Sequence, residues 1–309
     1  MSVVLAAAFP ECGLLMSDSR VTITSPNGSA KRDELQKIFQ LGTHLAVGFT
    51  SQNVKISCEI IQKMTDSSRK QAKIQNSIYL LEKLPRVANY YYNKLTQNLT
   101  ERPQMDFSYV GVVGDRGARI PANNIFDLMK RSKNSFSPSP EMARAIFSTK
   151  DGFLFFPPPL TIVHMQTLPT NERQTFHILG LSLCGSGSGA FEKIEKEIEK
   201  ILFCPEKTMR IAMFQASINK FCQEHNIDTV GGLNQIVIID HEGVKPQSYS
   251  TNLIAEDGKI ISGKKMEYRP SGWVQIDIET GRETPVCHYN PLTLKTEDNK
   301  FTALRGTTY

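Results

Sequence analysis

The order of strand-like and helix-like segments constrains the fold of this chain more than any other feature of its sequence. Short apolar runs separated by turn residues are typical of strands, and apolar residues spaced three or four apart are typical of helices. Strand-like runs lie at 3–50, 107–114, 175–183 and 234–240, and helix-like stretches at 54–64, 77–99, 190–202 and 208–225. Such segregated runs indicate an α+β fold with helices covering antiparallel sheets, not a parallel βαβ fold. Pro85 is expected to kink or split the second helix.

Composition excludes several classes of protein. The 309 residues are 40% hydrophobic and 22% charged, which is enough apolar material for a core and ordinary for a globular chain. No apolar run approaches the roughly 20 residues of a membrane span, and no secretory signal pattern opens the chain. We therefore expect a cytoplasmic protein with no membrane partner.

Cofactors and nucleic acid are not expected either. The six cysteines form no Cys-x-x-Cys motif or Cys/His cluster, which predicts free thiols and no metal site. Neither a phosphate-binding G-x-x-x-x-G-K-[ST] loop nor a strand followed by G-x-G-x-x-G occurs, so no cofactor is predicted. The net charge of +5 and the basic cluster Lys130-Arg131-Ser132-Lys133 are interpreted as a solvated surface. No nucleic-acid partner is predicted from them.

Ser2 is the first candidate for chemistry, because it directly follows Met1. Methionine is normally removed before a small residue, which would leave Ser2 with a free α-amine. A serine hydroxyl needs a nearby base to become a good nucleophile. An α-amine, with a pKa of about 7.7–8.0, is suited to that task near neutral pH. One residue can thus supply nucleophile and base, although many proteins begin with Met-Ser.

The residues that follow give Ser2 a context. Asp18-Ser19-Arg20 begins 16 residues after Ser2, and Lys37 precedes an apolar strand. A second strand contains Gly48, Leu183–Ala190 (LCGSGSGA) opens a helix, and Asp228-Thr229-Val230-Gly231-Gly232 precedes another strand. In this order and spacing the sequence resembles the proteasome β-subunit family of N-terminal-nucleophile (Ntn) hydrolases, over about residues 2–117 and 175–240.

This resemblance implies a fold and a domain organisation. The fold would be a four-layer αββα sandwich, in which two antiparallel sheets face each other and a helix pair covers each outer side. Residues 2–240 would form the Ntn-hydrolase core, with an insertion at about 118–174. Residues 241–309 would form a C-terminal extension packed on that core.

The resemblance also implies roles for the nucleophile and for three residues around it. Ser2 would be the nucleophile, and Lys37 would lower the pKa of its hydroxyl and amine through a nearby positive charge. Asp18 would pair with Lys37 and orient it. The backbone N–H of Gly48 would stabilise the oxyanion of the tetrahedral intermediate.

Two further residues would act on the Ser2 amine. Ser186 would hydrogen-bond the amine, and Asp228 would orient Ser186 and the amine, as the third group of a catalytic triad orients its base. The chain departs from the family here, because Val230 or Gly231 stands where the family usually has serine. This departure bears on the assignment of Asp228 more than on those of Ser2, Asp18 and Lys37.

The implied activity is hydrolysis of a peptide or small amide through an acyl-enzyme, by a serine/threonine-type peptidase. Family members assemble into rings, so a homo-oligomer is implied as well. Two alternatives remain open. One is a non-catalytic subunit or scaffold with the same fold, and the other is a small-amide hydrolase that uses the same site.

Overall fold

The computed structural model describes most of the chain but not all of it. The described residues are 2–9, 11–25, 28–70, 77–113, 118–121, 135–136, 153–156, 160–177, 180–202, 204, 206–254 and 260–286. The basic cluster at 130–133, most of the predicted insertion and residues 287–309 of the predicted extension lie outside these ranges.

The described part of the chain is a mixed α+β structure. Its strands are β1 (Val3–Ala8), β2 (Gly13–Ser17), β3 (Val21–Ser25), β4 (Gly28–Arg32), β5 (Ile38–Gly42), β6 (Leu45–Ser51), β7 (Met105–Val113), β8 (Ala118–Pro121), β9 (Ser135–Phe136), β10 (Phe153–Phe156), β11 (Leu160–Leu168), β12 (Glu172–His177), β13 (Leu181–Gly185), β14 (Gln235–Asp240), β15 (Gly243–Pro246), β16 (Tyr249–Ile254), β17 (Ile260–Arg269), β18 (Gly272–Asp277) and β19 (Glu283–Pro285). Its helices are α1 (Val54–Arg69), α2 (Ser77–Thr96), α3 (Phe191–Leu202) and α4 (Lys207–Glu224).

Two large sheets form the centre of the molecule, and all their strand pairings are antiparallel. The first has the order β15-β14-β2-β1-β13-β9, and the second has the order β12-β11-β7-β6-β5. A four-stranded sheet, β16-β17-β18-β19, and two strand pairs, β3-β4 and β8-β10, complete the described strands. The antiparallel sheets expected from the segregated sequence runs are therefore present.

The alternation of side chains along β1 connects the two sheets with the helices. Val3, Leu5 and Ala7 pack in a buried cluster with residues of α3 and α4. Val4, Ala6 and Ala8 pack in another cluster, which they share with residues of β6, β7 and β11 in the second sheet. Successive residues of a strand face opposite sides, so β1 is buried on both sides and all six of its residues are inaccessible.

The second sheet buries its other face against α1 and α2. Helix α1 begins at Asn53, whose side chain accepts a hydrogen bond from the Ile56 amide at 3.2 Å and satisfies an otherwise unpaired N–H of the first turn. Helix α2 continues through Pro85 as one element, so the predicted split does not occur. The Pro85 carbonyl instead accepts a hydrogen bond from Gln166 of β11 at 2.8 Å.

The sequence boundaries at 118–174 and 241 do not coincide with the edges of the sheets. Strand β11 and the first half of β12 fall within the predicted insertion, yet β11 pairs with β7 and with β12 in the second sheet. After residue 241, β15 extends the first sheet by pairing with β14. Trp273, Met266 and Val286, from later in the chain, join the cluster shared by the two sheets. Among the helices of the described part, none has the length and apolarity to cross a bilayer.

Candidate active site

Ser2 lies at the N-terminal end of β1, between the neighbouring strands β2 and β13. The next residue, Val3, stands opposite Gly185 of β13, and only 7% of Ser2 is exposed. Because Val4 and Ala6 face the second sheet, the alternation along β1 places the Ser2 side chain on that same side. Ser2 thus lies at the end of the space between the two sheets.

Asp18 and Lys37 form a buried ion pair beside Ser2. The Lys37 ammonium lies 2.8 Å from Asp18 Oδ1, and each side chain is 1% exposed. The same carboxylate oxygen accepts a hydrogen bond from the Val3 amide at 2.9 Å. Burial lowers the pKa of Lys37, although the neighbouring Asp18 acts in the opposite direction. One oxygen of Asp18 therefore links the Lys37 side chain to the backbone next to the candidate nucleophile.

The backbone around Lys37 is held by a buried glutamine. Gln235 of β14 accepts a hydrogen bond from the Lys37 amide at 2.9 Å and donates one to the Leu35 carbonyl at 2.7 Å. The Lys37 ammonium also donates to the Arg20 carbonyl. These contacts tie the segment before β5 to the first sheet and so fix the position of Lys37 relative to Ser2.

Arg20 joins the segments on either side of this ion pair. Its guanidinium makes a two-point contact with the Asp33 carboxylate, at 2.6 and 3.0 Å. It also donates to the Asp228 carbonyl at 3.1 Å. The other oxygen of Asp18 accepts the amides of Arg20, at 3.2 Å, and Gly231, at 3.3 Å. The Asp18 carboxylate therefore accepts hydrogen bonds from three backbone amides and from the Lys37 ammonium.

Gly185 allows the chain to pass very close to Ser2. Its φ angle of +89° is one that side-chain-bearing residues rarely adopt, and a Cβ at this position would lie 1.9 Å from the Ser2 carbonyl oxygen. Ser186, the next residue, donates a hydrogen bond to that carbonyl at 3.4 Å. The observed contact of Ser186 is thus with the Ser2 carbonyl, whereas the resemblance implies a hydrogen bond with the Ser2 amine.

The described contacts of Ser186 and Asp228 differ from those that the resemblance implies. The Ser186 hydroxyl lies 2.9 Å from the hydroxyl of Thr229, the residue that follows Asp228. The Asp228 side chain is 66% exposed and pairs with Lys31, and this hydrogen bond lowers the pKa of Asp228. Thr229 therefore occupies the place that the sequence motif assigned to Asp228. In the sequence, the only sign of this contact is that a hydroxyl-bearing residue, Thr229, directly follows Asp228.

Gly48 does not present a free N–H for an oxyanion. It lies inside β6, opposite Ile38 of β5 and Ser108 of β7. Along this ladder the Gln52 amide donates to Gln104, and the His44 carbonyl accepts from Val112. Since hydrogen-bonded pairs alternate along an antiparallel ladder, the Gly48 amide faces Ser108 and is used by the sheet. The predicted oxyanion role of Gly48 thus conflicts with its place in the ladder.

The only sulfur nucleophile adjacent to the site among the described residues is Cys184. Its thiol is buried, and burial raises its pKa to about 12. A thiol in that state remains protonated at neutral pH and is a poor nucleophile. The Cys184 sulfur also lies 3.6 Å from the Ser108 hydroxyl, in the space between the sheets. Cys184 is therefore not an alternative to Ser2 as the nucleophile of this site.

The described residues include no candidate metal site, because no three of their His, Cys, Asp or Glu side chains are grouped closely enough to hold an ion.

In comparisons with protein-family models and with curated proteins, the chain matches none. The resemblance to the proteasome β-subunit family therefore remains a prediction from the sequence motifs.

Proposed function

We propose that this protein is an Ntn hydrolase that cleaves amide bonds with Ser2 as its nucleophile, after removal of Met1. The observation that carries the proposal is the shared oxygen of Asp18, which accepts hydrogen bonds from the Lys37 ammonium at 2.8 Å and the Val3 amide at 2.9 Å. A buried charge pair is expensive to desolvate and contributes little net stability. Its attachment to the backbone at Ser2 is better explained by chemistry at that residue.

The reaction would proceed by acyl transfer. The α-amine of Ser2 takes the proton of its own hydroxyl as the oxygen attacks the amide carbonyl. The C–N bond then breaks, and the leaving amine receives that proton, which leaves an ester on Ser2. A water molecule attacks the ester, again with the α-amine as base, and releases a carboxylic acid and the free serine. The substrate is a peptide or a small amide, and every step uses groups of the protein, the substrate and water.

Lys37 would stabilise the charges that develop during this reaction. Its ammonium lowers the pKa of the Ser2 hydroxyl by favouring the negatively charged oxygen. Because the Gly48 amide is used by the β-ladder, the charge of Lys37 is also the group that we assign to the oxyanion. Asp18 would hold this lysine in place, and Ser186, linked to Thr229, would hold the Ser2 backbone.

The arrangement of buried clusters supports an αββα sandwich of the Ntn type. One cluster lies between α1, α2 and the second sheet, and another lies between α3, α4 and the first sheet. The third is shared by the two sheets. This order of helices, sheet, sheet and helices is what the resemblance to proteasome β-subunits implies. Assembly into a homo-oligomeric ring and a cytoplasmic location belong to the same proposal.

A non-catalytic subunit of the same fold is the second candidate. It is favoured by the commitment of the Gly48 amide to the ladder and by the outward-facing Asp228 side chain. Such a protein would retain the Lys37–Asp18 pair as part of its inherited core and would show no hydrolysis.

The two candidates are separated by the hydrolysis of fluorogenic peptide amides by the wild-type protein and two variants. Loss of the hydroxyl in Ser2→Ala should abolish turnover, whereas Ser2→Thr keeps a hydroxyl and an α-amine and should retain it. Intact mass must show that Met1 is absent from all three proteins. Equal turnover by wild type and Ser2→Ala would exclude the proposed nucleophile, and no turnover by a wild-type protein lacking Met1 would favour the non-catalytic candidate.

A further inference from the structure

A buried carboxyl group, Asp106, lies in the second sheet at the same end of the molecule as Ser2. It is 9% exposed. Thr50 of β6 donates a hydrogen bond to Asp106 Oδ2 at 3.0 Å, and Thr167 of β11 donates one to Oδ1 at 2.9 Å. The side chain of Gln104 is a third hydrogen-bonding partner. We call Thr50, Asp106 and Thr167 the carboxyl rung.

The carboxyl rung faces the space between the two sheets. On β7, Asp106 alternates with Ser108, Val110 and Val112, and the latter two belong to the cluster shared by the sheets. The Ser108 hydroxyl contacts Cys184 of the first sheet. Because side chains two apart in a strand share a face, the carboxyl of Asp106 points into the same space as these residues.

Gly185 links the rung with the candidate nucleophile. A Cβ placed on Gly185 would lie 2.8 Å from the Thr50 methyl group and 1.9 Å from the Ser2 carbonyl oxygen. Thr50 and Ser2 therefore flank the same glycine from opposite sheets. Through Thr50, which is hydrogen-bonded to Asp106, the carboxyl rung is thus adjacent to the glycine that packs against Ser2.

Among the described residues, the carboxyl of Asp106 has hydroxyl and amide partners and no cationic one. None of the ion pairs within the described ranges includes it. Burial raises the pKa of Asp106, and its hydrogen bonds only partly oppose this effect. A buried carboxylate without a countercharge is unfavourable, and a cation brought by a ligand would relieve that unfavourable energy and form a charge-assisted hydrogen bond.

We propose that Asp106, held by Thr50 and Thr167, is a specificity-determining residue that binds a positively charged group of the substrate. The substrate class is then an amide that carries a guanidinium or ammonium side chain close to the bond that is cleaved. This inference rests on the proposed function of Ser2, since it deepens the description of the same site.

A binding measurement tests the subsite without requiring catalysis. The protein would carry Ser2→Ala, and the probe would be n-butylguanidinium, with its uncharged isostere N-butylurea as control ligand. We expect titration calorimetry to show binding of n-butylguanidinium but not of N-butylurea. Adding Asp106→Asn, which keeps the size of the side chain, should weaken the binding of the cation by about thirtyfold or more. The matched control is Asp277→Asn, which removes a carboxylate that lies on the surface and should change nothing.

Two results would overturn the inference. One is equal affinity of the Ser2→Ala protein for n-butylguanidinium and N-butylurea, which can be read even if Asp106→Asn fails to fold. The other is unchanged binding of n-butylguanidinium by a folded Asp106→Asn protein. Neither result bears on the proposed role of Ser2 as nucleophile, because hydrolysis of uncharged amides by the wild-type protein is measured separately. If Asp106 only holds β6, β7 and β11 together, Asp106→Asn lowers the melting temperature and leaves the affinity for the cation unchanged.

Discussion

Lys37 Nζ lies 2.8 Å from Asp18 Oδ1, with both side chains 1% exposed. That carboxylate also accepts the amide of Val3, the residue after Ser2. Replacement of a buried ion pair by uncharged groups is often neutral or stabilising. A protein that kept this pair for stability alone would have gained little from it, and for this reason we propose that the pair beside Ser2 serves chemistry.

Breaking the pair should separate stability from activity. Lys37→Met leaves the Asp18 charge buried without a partner, so we expect the free energy of unfolding to fall by about 3–5 kcal/mol. The double variant Asp18→Asn/Lys37→Met removes both charges and keeps an oxygen for the Val3 amide. Urea unfolding should show that it recovers much of the lost stability, while hydrolysis stays absent. A double variant that is both stable and active would contradict the role of Lys37.

Substitutions of Thr229 and Asp228 test which of these neighbouring residues orients Ser186. Thr229→Val removes the hydroxyl that lies 2.9 Å from Ser186 and leaves the size of the side chain almost unchanged. We expect the turnover of fluorogenic amides to fall by about tenfold, because the group that orients Ser186 is lost. Asp228→Asn changes a side chain that faces solvent and should keep wild-type turnover. The reverse outcome, in which Asp228→Asn is the damaging change, would restore the assignment made from the sequence.

Gly185 should tolerate no side chain. Gly185→Ala places a Cβ 1.9 Å from the Ser2 carbonyl oxygen, in addition to the unfavourable φ of +89°. Gly272 is the matched control, since it has a φ of +111° but a Cβ added there would meet no atom within 4 Å. Gly272→Ala should therefore lower the free energy of unfolding only by the backbone term of about 1–2 kcal/mol. Thermal unfolding of Gly185→Ala should show a clearly larger loss of stability than that of Gly272→Ala. Equal losses would mean that the backbone at Ser2 can move to make room for the added methyl group.

His164 should make the stability of the protein depend on pH. Burial lowers its pKa from 6.5 to about 4, and its buried Nε2 atom has no hydrogen-bond partner among the described residues. Between these two values the unfolded chain binds a proton that the folded chain does not bind. Stability is therefore retained above pH 6.5 and falls as the pH decreases towards about 4.

The contribution of His164 can be isolated by substitution. From pH 7 to pH 5 the free energy of unfolding should fall by about 1–2 kcal/mol more in the wild type than in His164→Gln. Urea unfolding at the two pH values measures this difference. The same pH dependence in both proteins would show that other groups cause it.

The α+β class could be predicted from the sequence because it depends on local patterns, whereas the roles of the site residues come from a resemblance and stay predictions. The runs of β1 and β2 and the spacing from Ser2 to Asp18 and Lys37 are visible in the residues themselves. Strand β11 could not be predicted in this way, because its helix-facing side carries His164 and Gln166, and Gln166 is buried by hydrogen bonding to Pro85. The expected alternation of apolar and polar residues is therefore absent from this strand.

The other differences arise from contacts between distant segments. Whether Asp228 or Thr229 reaches Ser186 depends on how the loop before β14 lies against the turn after β13, and adjacent residues give no signal for that choice. The use of the Gly48 amide depends on its pairing with Ser108, about 60 residues later in the chain. Long-range register of this kind is set by the folded sheets and is not encoded in a short motif.

Covalent labelling followed by intact-mass spectrometry tests the role of Ser2 most directly. A peptide epoxyketone requires both a hydroxyl and a free α-amine on the same residue. We expect the wild-type protein to lack Met1 and to gain the mass of one inhibitor at Ser2, and Ser2→Ala to gain none. A wild-type protein that lacks Met1 but remains unlabelled, or an equal adduct on Ser2→Ala, would contradict the assignment of Ser2 as an N-terminal nucleophile.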